Sequence, residues 1–374
     1  MHKVKWIEID LDAVRHNFRS IKKKVGNGIK ILAIVKADAY GHGAVKVSKT
    51  LLENGVDMLG IADPEEGIEL RENNINVPIL LLNPILPEQT EEVLRHSLRI
   101  TVYSLNDARK ISEIAKRSNS SIKVHVEIDT GMGGTGVHPD ETLPLIKSLA
   151  LIENLTIEGI FTHFHSCDEK DKSFTHEQTK IFKKNLKQLE GEKIHIPLIH
   201  AANSAAILDM PDSYFNMVRP GLILYGLFPS NHVSKGIDLK PVMSFKTRII
   251  NLKNLDSGST VSYGRTFKAS RPATVATIPV GYKDGFSRYF SNLGKVLING
   301  KHTSIIGKVC MDRCFIDVTN VPNVNIGSEV VLYGKQKNET ILIESSAESI
   351  NTIPYEIVCN IGGKAAKKYI SNGK

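Results

Sequence analysis

The feature that most constrains this chain is a repeated rhythm of strand, loop and helix between residues 29 and 226. Short apolar, β-branched runs begin near Ile29, Met58, Pro78, Leu98, Lys123, Ile157, Ile196 and Met217. Each is followed by a stretch with helical periodicity, and parallel strands need such crossovers to reach a neighbour. Two helix starts are legible: Pro64 sits between Asp63 and the pair Glu65 and Glu66, and Ser104 stands three residues before Asp107; both patterns satisfy the free N–H groups of a first turn. Eight near-continuous apolar strands predict an α/β fold that opens with an N-terminal (β/α)8 barrel, its chemistry on the loops at the strand C-termini. From about Pro241 the pattern changes to alternating strands with tight turns, as around Asn299-Gly300, and predicts a C-terminal all-β domain. A chain of 374 residues also exceeds the roughly 250–300 residues at which a single core stops growing. The expected division is residues 10–238 for the barrel and 239–374 for the β domain. Residues 1–9 join the latter, because Lys3 to Ile9 alternates like a strand ahead of a first helix from Leu11 to about Lys24.

Composition narrows the function classes. With 41% hydrophobic and 24% charged residues the chain is globular, and no run approaches the roughly 18–20 apolar residues of a membrane span. Acids stand where a signal peptide needs an apolar stretch, so a cytoplasmic protein is expected. The four cysteines, Cys167, Cys310, Cys314 and Cys359, form no Cys-x-x-Cys pair, and free thiols without zinc are expected. The formal charge is +8, but the basic residues are scattered except in the tail from Lys364 to Lys374. That tail lacks the aromatic interleaving of a single-strand platform, so neither nucleic acid nor membrane is an expected partner, while an anionic small molecule is.

The residues that can carry chemistry cluster at the predicted strand ends. The first strand ends in AIVKADAYGHG, which places Lys36 on an apolar strand at the barrel mouth. Loss of hydration disfavours a buried ammonium, and a neutral amine can form a Schiff base with a carbonyl; the alternative is a lysine paired with Asp38. The eighth strand ends in Arg219-Pro-Gly221-Leu222 and the seventh in His200-Ala-Ala-Asn203-Ser204, and loops after strands seven and eight commonly build a phosphate site. Ser204 can donate its hydroxyl to a phosphate or serve as a plain helix cap, and Gly221 lets a phosphate approach the backbone. A Schiff-base lysine and a phosphate cup in one mouth suggest pyridoxal 5′-phosphate. On the sixth strand, His163 can lie on a cofactor ring or be a satisfied core residue; with His165 it lacks a third ligand for a metal. Gly131-Met-Gly133-Gly-Thr-Gly136, followed by Glu158, matches a dinucleotide fingerprint, but His138-Pro139-Asp140 interrupts the helix that should begin there.

The segments AIVKADAYGHG, EIDTGMGGTGV, THF, HAANS, RPGLILYG, VSYGRTF, GYKDG, CMDR and NTIPYE together resemble alanine racemase, in order and over nearly the whole chain. The resemblance implies a fold-type III pyridoxal-phosphate enzyme, a barrel followed by a β domain, working as a head-to-tail homodimer on a small amino acid. It makes Lys36 the Schiff-base lysine and one of two catalytic bases, and Tyr263, reaching into the partner subunit's site, the other. It places Tyr40, Ser204, Gly221, Leu222 and Tyr355 at the cofactor phosphate, Asn203 among the cofactor-binding residues, His163 against the ring, and Arg219, supported by His200, at the pyridine nitrogen. Met311 and Gly134 fall at the substrate, with Asp312 and Tyr282 in support. An arginine cannot give up its proton fully, so the ring is a weaker electron sink than one paired with aspartate, which suits rapid reprotonation. A phenol of ordinary pKa is ionised in about one molecule in a thousand at pH 7, so the tyrosine needs a cationic field, for which Arg219 and His163 are the candidates.

Two positions depart from the family pattern. Glu127 stands where the family commonly has a lysine, often carbamylated, and Gly134 where it has an arginine. The expectation is an enzyme that needs no carbamylation and admits larger side chains than methyl. Three functions are compared: racemisation of alanine, or more broadly of serine, lysine or ornithine; amino-acid decarboxylation on the same fold; and a non-enzymatic carrier of the cofactor. The tyrosine of VSYGRTF and the short GYKDG segment favour racemisation, and the β domain argues against the single-barrel carrier. The tail IGGKAAKKY, which also departs from the family ending, is read as structural.

Overall fold

The computed structural model describes residues 4–371; Lys3, with which the first strand was expected to begin, lies outside them. The chain opens with strand β1 (Lys5–Asp10) and a helix, Leu11–Val25. Asp10 caps that helix, its carboxylate accepting from the N–H groups of Asp12 (2.9 Å) and Ala13 (3.0 Å). Burial of Val14, Phe18, Ile21 and Val25 follows the helical repeat.

Eight parallel strands follow: β2 (Lys30–Ile34), β3 (Met58–Ile61), β4 (Ile79–Leu81), β5 (Ile100–Val102), β6 (Ile122–Glu127), β7 (Leu155–Phe161), β8 (Leu198–His200) and β9 (Met217–Val218). They pair in the order β4-β3-β2-β9-β8-β7-β6-β5. A parallel bridge between Leu80 and Arg99 joins β4 to β5 and closes the barrel. All eight predicted runs are present. The capping signals act as expected: Ser104 Oγ accepts from Asp107 N–H, and the Glu66 carboxylate reaches back to the N–H of Ala62 at 2.8 Å.

The remaining strands are β10 (Met243–Arg248), β11 (Asn251–Leu255), β12 (Thr260–Val261), β13 (Phe267–Lys268), β14 (Ala273–Ile278), β15 (Lys295–Ile298), β16 (Lys301–Ile306), β17 (Cys314–Asp317), β18 (Glu329–Gln336), β19 (Glu339–Ile341) and β20 (Lys367–Ile370). The main sheet runs β11-β14-β17-β16-β15-β18-β10-β1-β20. Asn299 and Gly300 have φ of 53° and 77°, the double left-handed turn that joins β15 and β16. β1 lies antiparallel to β10 and parallel to β20, and Lys5 pairs with the buried Asp284 at 2.6 Å. The basic tail contributes β20, and its Lys367 holds Asp38 at 2.7 Å. Among the described residues no helix is long and apolar enough to cross a membrane.

The β domain returns to the barrel through helix Pro354–Gly362, which packs on the segment after β2. There Gly41 and Gly362 meet backbone to backbone: a Cβ on Gly362 would lie 2.2 Å from the Gly41 Cα. This contact makes a sign test. Helix propensity alone predicts that Gly362→Ala stabilises by about 1 kcal/mol, whereas overpacking predicts a loss of about 1–3 kcal/mol. The expected outcome is the loss, read as a lower urea midpoint; a midpoint at or above that of the unsubstituted protein would show that the two backbones can part freely.

Candidate active site

Lys36 lies at the C-terminal end of β2, half-buried, and introduces an uncommon backbone. Ala37, Asp38, Ala39 and Tyr40 all have φ of 52–54° with ψ of 43–51°, a left-handed helical turn in residues that carry a Cβ. Such a conformation costs about 1–2 kcal/mol per residue and persists only where its surroundings fix it. Here Ala39 N–H donates to Val35 O (2.8 Å) and Gly43 N–H to Asp38 O (2.8 Å). Ala37 N–H donates to Glu66 Oε1 (2.5 Å) and Ala44 N–H to Asp38 Oδ1 (2.7 Å). The sequence alternative of a Lys36–Asp38 pair is not formed, because Asp38 binds Lys367.

The turn brings the Tyr40 ring to Tyr225 (5.2 Å between centroids) and Tyr355 (5.5 Å), and sets its hydroxyl against Gly221. A Cβ on Gly221 would lie 2.7 Å from that oxygen, so only glycine leaves the gap. Ser204 Oγ accepts from Gly221 N–H at 2.9 Å. Asn203, rather than Ser204, is the helix cap: its Oδ1 accepts from Ala206 N–H at 3.1 Å and from the Cys167 thiol. The Ser204 hydroxyl is thereby kept at the mouth with Tyr40, Tyr355, Gly221 and Leu222.

Arg219 is buried and spans the mouth. Its Nη1 donates to His200 Nδ1 (3.1 Å), and its Nη2 to Thr162 O (2.9 Å) and His163 Nδ1 (3.0 Å); the guanidinium lies 5.3 Å from the Phe161 ring centroid. Burial lowers its pKa to about 10, against the opposing pull of Glu127, so it remains a cation at neutral pH. Burial, Arg219 and Lys36 push His163 down to about 3. His163 is therefore neutral and cannot share the cationic role expected of it; of the two candidates only Arg219 carries a charge. His165 packs on Phe174, away from this cluster, and no metal-holding group of acidic, histidine or cysteine side chains exists among the described residues.

Glu127 ends β6 and is buried, with Oε2 lacking any hydrogen-bond partner. Burial raises its pKa, against a hydrogen bond from Thr135 and the charge of Arg219. Nothing lies within 4 Å of the place a Cβ on Gly134 would take. The glycine-rich loop binds its own acid, not a nucleotide: Gly131 and Gly133 N–H groups donate to Asp129 Oδ1, each at 3.0 Å. A 3-10 turn at Pro139–Glu141 stands where a dinucleotide site would need a helix to begin, in line with the interruption expected at His138-Pro139-Asp140.

Tyr263, Tyr282, Met311 and Asp312 line one hollow on the β domain. Tyr263 is 72% exposed and Met311 57%; Asp312 pairs with Arg313 at 3.1 Å. Among the described residues no hydrogen bond, ion pair or ring contact joins this hollow to the barrel-mouth set.

Residues that sequence reasoning passed over are His42, His125 and Glu158. His42 stacks on Tyr225 at 4.4 Å and its Nδ1 donates to Tyr40 O at 2.9 Å. His125 lies inside the barrel against His200 (2.9 Å), and its signal was present as the alternation Lys123, His125, Glu127 on one face of an otherwise apolar strand. Glu158, weighed only as part of a dinucleotide motif, binds Arg99 and Lys123.

A closed barrel with a lysine and a histidine-flanked arginine at its mouth, joined to a β domain, defines an enzyme class built on amine chemistry. The comparisons agree with that class. Residues 9–229 match the family model for the alanine racemase N-terminal domain, and residues 242–369 that for its C-terminal domain. The alanine racemase of Halothermothrix orenii is 46% identical over 364 residues, covering 97% of this chain and 96% of that one. The solved alanine racemase of Clostridium difficile 630 superposes with a TM-score of 0.94 at 40% identity, covering 100% of this chain and 97% of that one. That of Bartonella henselae, solved with covalently bound pyridoxal phosphate, has a TM-score of 0.88 at 29% identity and covers 99% and 100%. The chain belongs to the alanine racemase family.

One consequence of the burial is a pH limit. His42 is pushed down to about 4 from 6.5, by burial above all. Because the unfolded chain binds that proton more readily, stability from this group is complete above pH 6.5 and falls as pH drops toward 4, by up to about 3 kcal/mol. Urea midpoints measured from pH 7 to pH 5 should decline, less steeply in His42→Gln; equal slopes in the two proteins would contradict the assignment.

Proposed function

We propose that this enzyme racemises alanine by a two-base mechanism, with Lys36 serving one face of the substrate and Tyr263 of the partner subunit the other. The observation that carries it is the left-handed turn that fixes Lys36 and Tyr40 in one mouth with Arg219 and the Gly221 gap. The chemistry of that donor set fits pyridoxal 5′-phosphate. Ser204, Tyr40 and Tyr355 offer hydroxyls, and Gly221 and Leu222 backbone, around a space that a Cβ would fill. When bound, the cofactor supplies a carbonyl for the amine and a ring that draws electrons from the substrate α-carbon.

The residues of the chain do the rest. Lys36 Nζ would hold the cofactor through its amine and would take or return the α-proton on one face of the substrate. The Tyr263 phenol of the partner subunit exchanges the proton on the opposite face. Arg219, a permanent donor, would help hold the cofactor ring and, because it cannot give up its proton fully, would leave that ring a weak electron sink, which favours reprotonation over side reactions. His163, neutral beside Arg219, would help hold the ring, and the buried Leu222 and Val35 would keep water off the mouth. Tyr263 and Met311 stand exposed on the β domain, which supports a homodimer in which each mouth is completed by the other subunit. Three of the four cysteines are buried and all are free, as a cytoplasmic setting allows.

The test uses two inactive variants. Lys36→Ala should lose both the covalent cofactor and turnover, and Tyr263→Phe should keep the cofactor spectrum and lose turnover. Mixing them under conditions of proven subunit exchange should regenerate active sites; no recovered activity would overturn the shared site.

A wider substrate range is favoured by one observation, the open space at Gly134, whose neighbour in sequence, Thr135, bonds the buried Glu127. Chiral assay should detect turnover of serine, lysine or ornithine beside alanine, and bicarbonate should leave the rates unchanged because no lysine needs carbamylation. Strict alanine selectivity or bicarbonate-dependent activity would refute this reading.

A further inference from the structure

The interior of a (β/α)8 barrel is ordinarily filled by branched apolar side chains in layers. Here a polar column runs through it from the floor to the mouth. At the floor Arg99 Nε and Lys123 Nζ hold the Glu158 carboxylate at 2.6 and 2.9 Å. Glu158 Oε2 lies 3.4 Å from His125 Nε2. His125 Nδ1 lies 2.9 Å from His200 Nε2, and His200 Nδ1 lies 3.1 Å from Arg219 Nη1. The path is built tightly: a Cβ on Gly159 would lie 2.3 Å from His125 Nδ1, and the His200 ring stacks on Phe161 at 4.9 Å.

Only one assignment of protons satisfies every contact. A guanidinium has donors and no acceptor, so His200 Nδ1 must offer a lone pair to Arg219. A neutral His200 then carries its proton on Nε2 and donates it to His125 Nδ1. His125 in turn carries its proton on Nε2, directed at the Glu158 carboxylate. Reversing either ring would set two lone pairs or two hydrogens face to face in a buried site. Burial first, and the nearby arginines in addition, lower both imidazoles below the ordinary histidine range, against the pull of Glu158 on His125, so neither satisfies both neighbours by taking a second proton at neutral pH.

We propose that His125 and Glu158 are positioning residues for the reaction: they lock His200 in its Nε2–H tautomer, and that lock aims the Arg219 guanidinium at the barrel mouth. The inference rests on the reading of Arg219 as the group that faces the cofactor ring. The logic is that of any histidine whose free nitrogen is oriented by the hydrogen bond its other nitrogen makes. The carboxylate sets the direction of the chain, and the two floor cations hold the carboxylate.

The test uses the pyridoxal-phosphate-loaded enzyme labelled with 15N-histidine. In the unsubstituted protein, nitrogen shifts should show His200 with a bare Nδ1 and a protonated Nε2. His125→Phe keeps a ring of similar size but removes the acceptor; it should shift the cofactor absorption spectrum and lower kcat by about tenfold or more, the scale of a lost orienting partner, with KM for alanine unchanged. His125→Gln restores a carbonyl toward His200 and an amide donor toward Glu158, and should recover most of the rate and the original spectrum. Glu158→Gln should likewise retain more activity than Glu158→Leu. A protonated Nδ1 on His200 in the unsubstituted enzyme, or equal losses in His125→Phe and His125→Gln, would overturn the lock itself. An unchanged spectrum and rate in Arg219→Lys would instead overturn the reading of Arg219, and the inference with it, while the measured tautomer stayed as assigned.

Discussion

The rest of the site depends on the left-handed turn after Lys36. Four consecutive residues with side chains hold φ near 53°, at a cost of about 1–2 kcal/mol each, and no glycine among them relieves it. What stabilises the turn comes from both domains: Glu66 from the barrel, Lys367 and the Gly362 backbone from the β domain. An ordinary right-handed turn would send Tyr40 elsewhere, and the hydroxyl that now faces Gly221 would leave the mouth. The turn that shapes the site is therefore braced by the β domain as well as by the barrel, although most of the site's residues belong to the barrel.

A second constraint is electrostatic. Arg219 is buried with three imidazoles in its vicinity, a grouping that would be costly if the rings were protonated. Keeping His125, His163 and His200 neutral leaves a single cation in the cluster and gives its donors lone pairs to meet. Thr162 O and Phe161 complete the surroundings, the first as an acceptor and the second through its ring face. An isolated buried cation loses most of its hydration, and Arg219 recovers part of it from these fixed dipoles. The same dipoles remove its freedom to move, which is what the role proposed for it against a cofactor ring requires.

The fold was legible because it is written in periodicity. Eight apolar runs with crossovers between them, and a change to alternation and Asn-Gly turns after Pro241, need no knowledge of long-range contacts. Lys36, Ser204 and Arg219 were legible for a related reason: a polar residue at the end of an apolar strand stands out from its neighbours. What sequence could not show was conformation and partnership. Nothing in KADAYG announces four left-handed residues in a row, since aspartate visits that region only singly and alanine and tyrosine do not favour it. The cap at Asn203 rather than Ser204 depends on which of two adjacent side chains faces the helix. His163 read as a second cation until its burial beside Arg219 was known. His125 and Glu158 lie 33 positions apart on separate strands, so their pairing follows from barrel register and not from any local pattern.

The two halves of the proposed site are held rigidly apart within one chain. The β domain is tied to the barrel at four places: Gly362 on Gly41, Lys367 on Asp38, β1 in the main sheet leading directly into the first barrel helix, and Asn17, buried, bonded to Leu224 O and to Lys240 on both its N–H and its C=O. The GYKDG segment that borders the hollow is itself anchored, through Asp284 to Lys5. A hinge motion that carried Tyr263 into its own mouth would have to break several of these buried contacts together, and interfaces so packed do not bend continuously. An exposed tyrosine fixed on one face and a lysine fixed on another can then act on one substrate only if a second copy of the chain brings them together, which is why the rigidity of the protomer and the proposal of a shared site support each other.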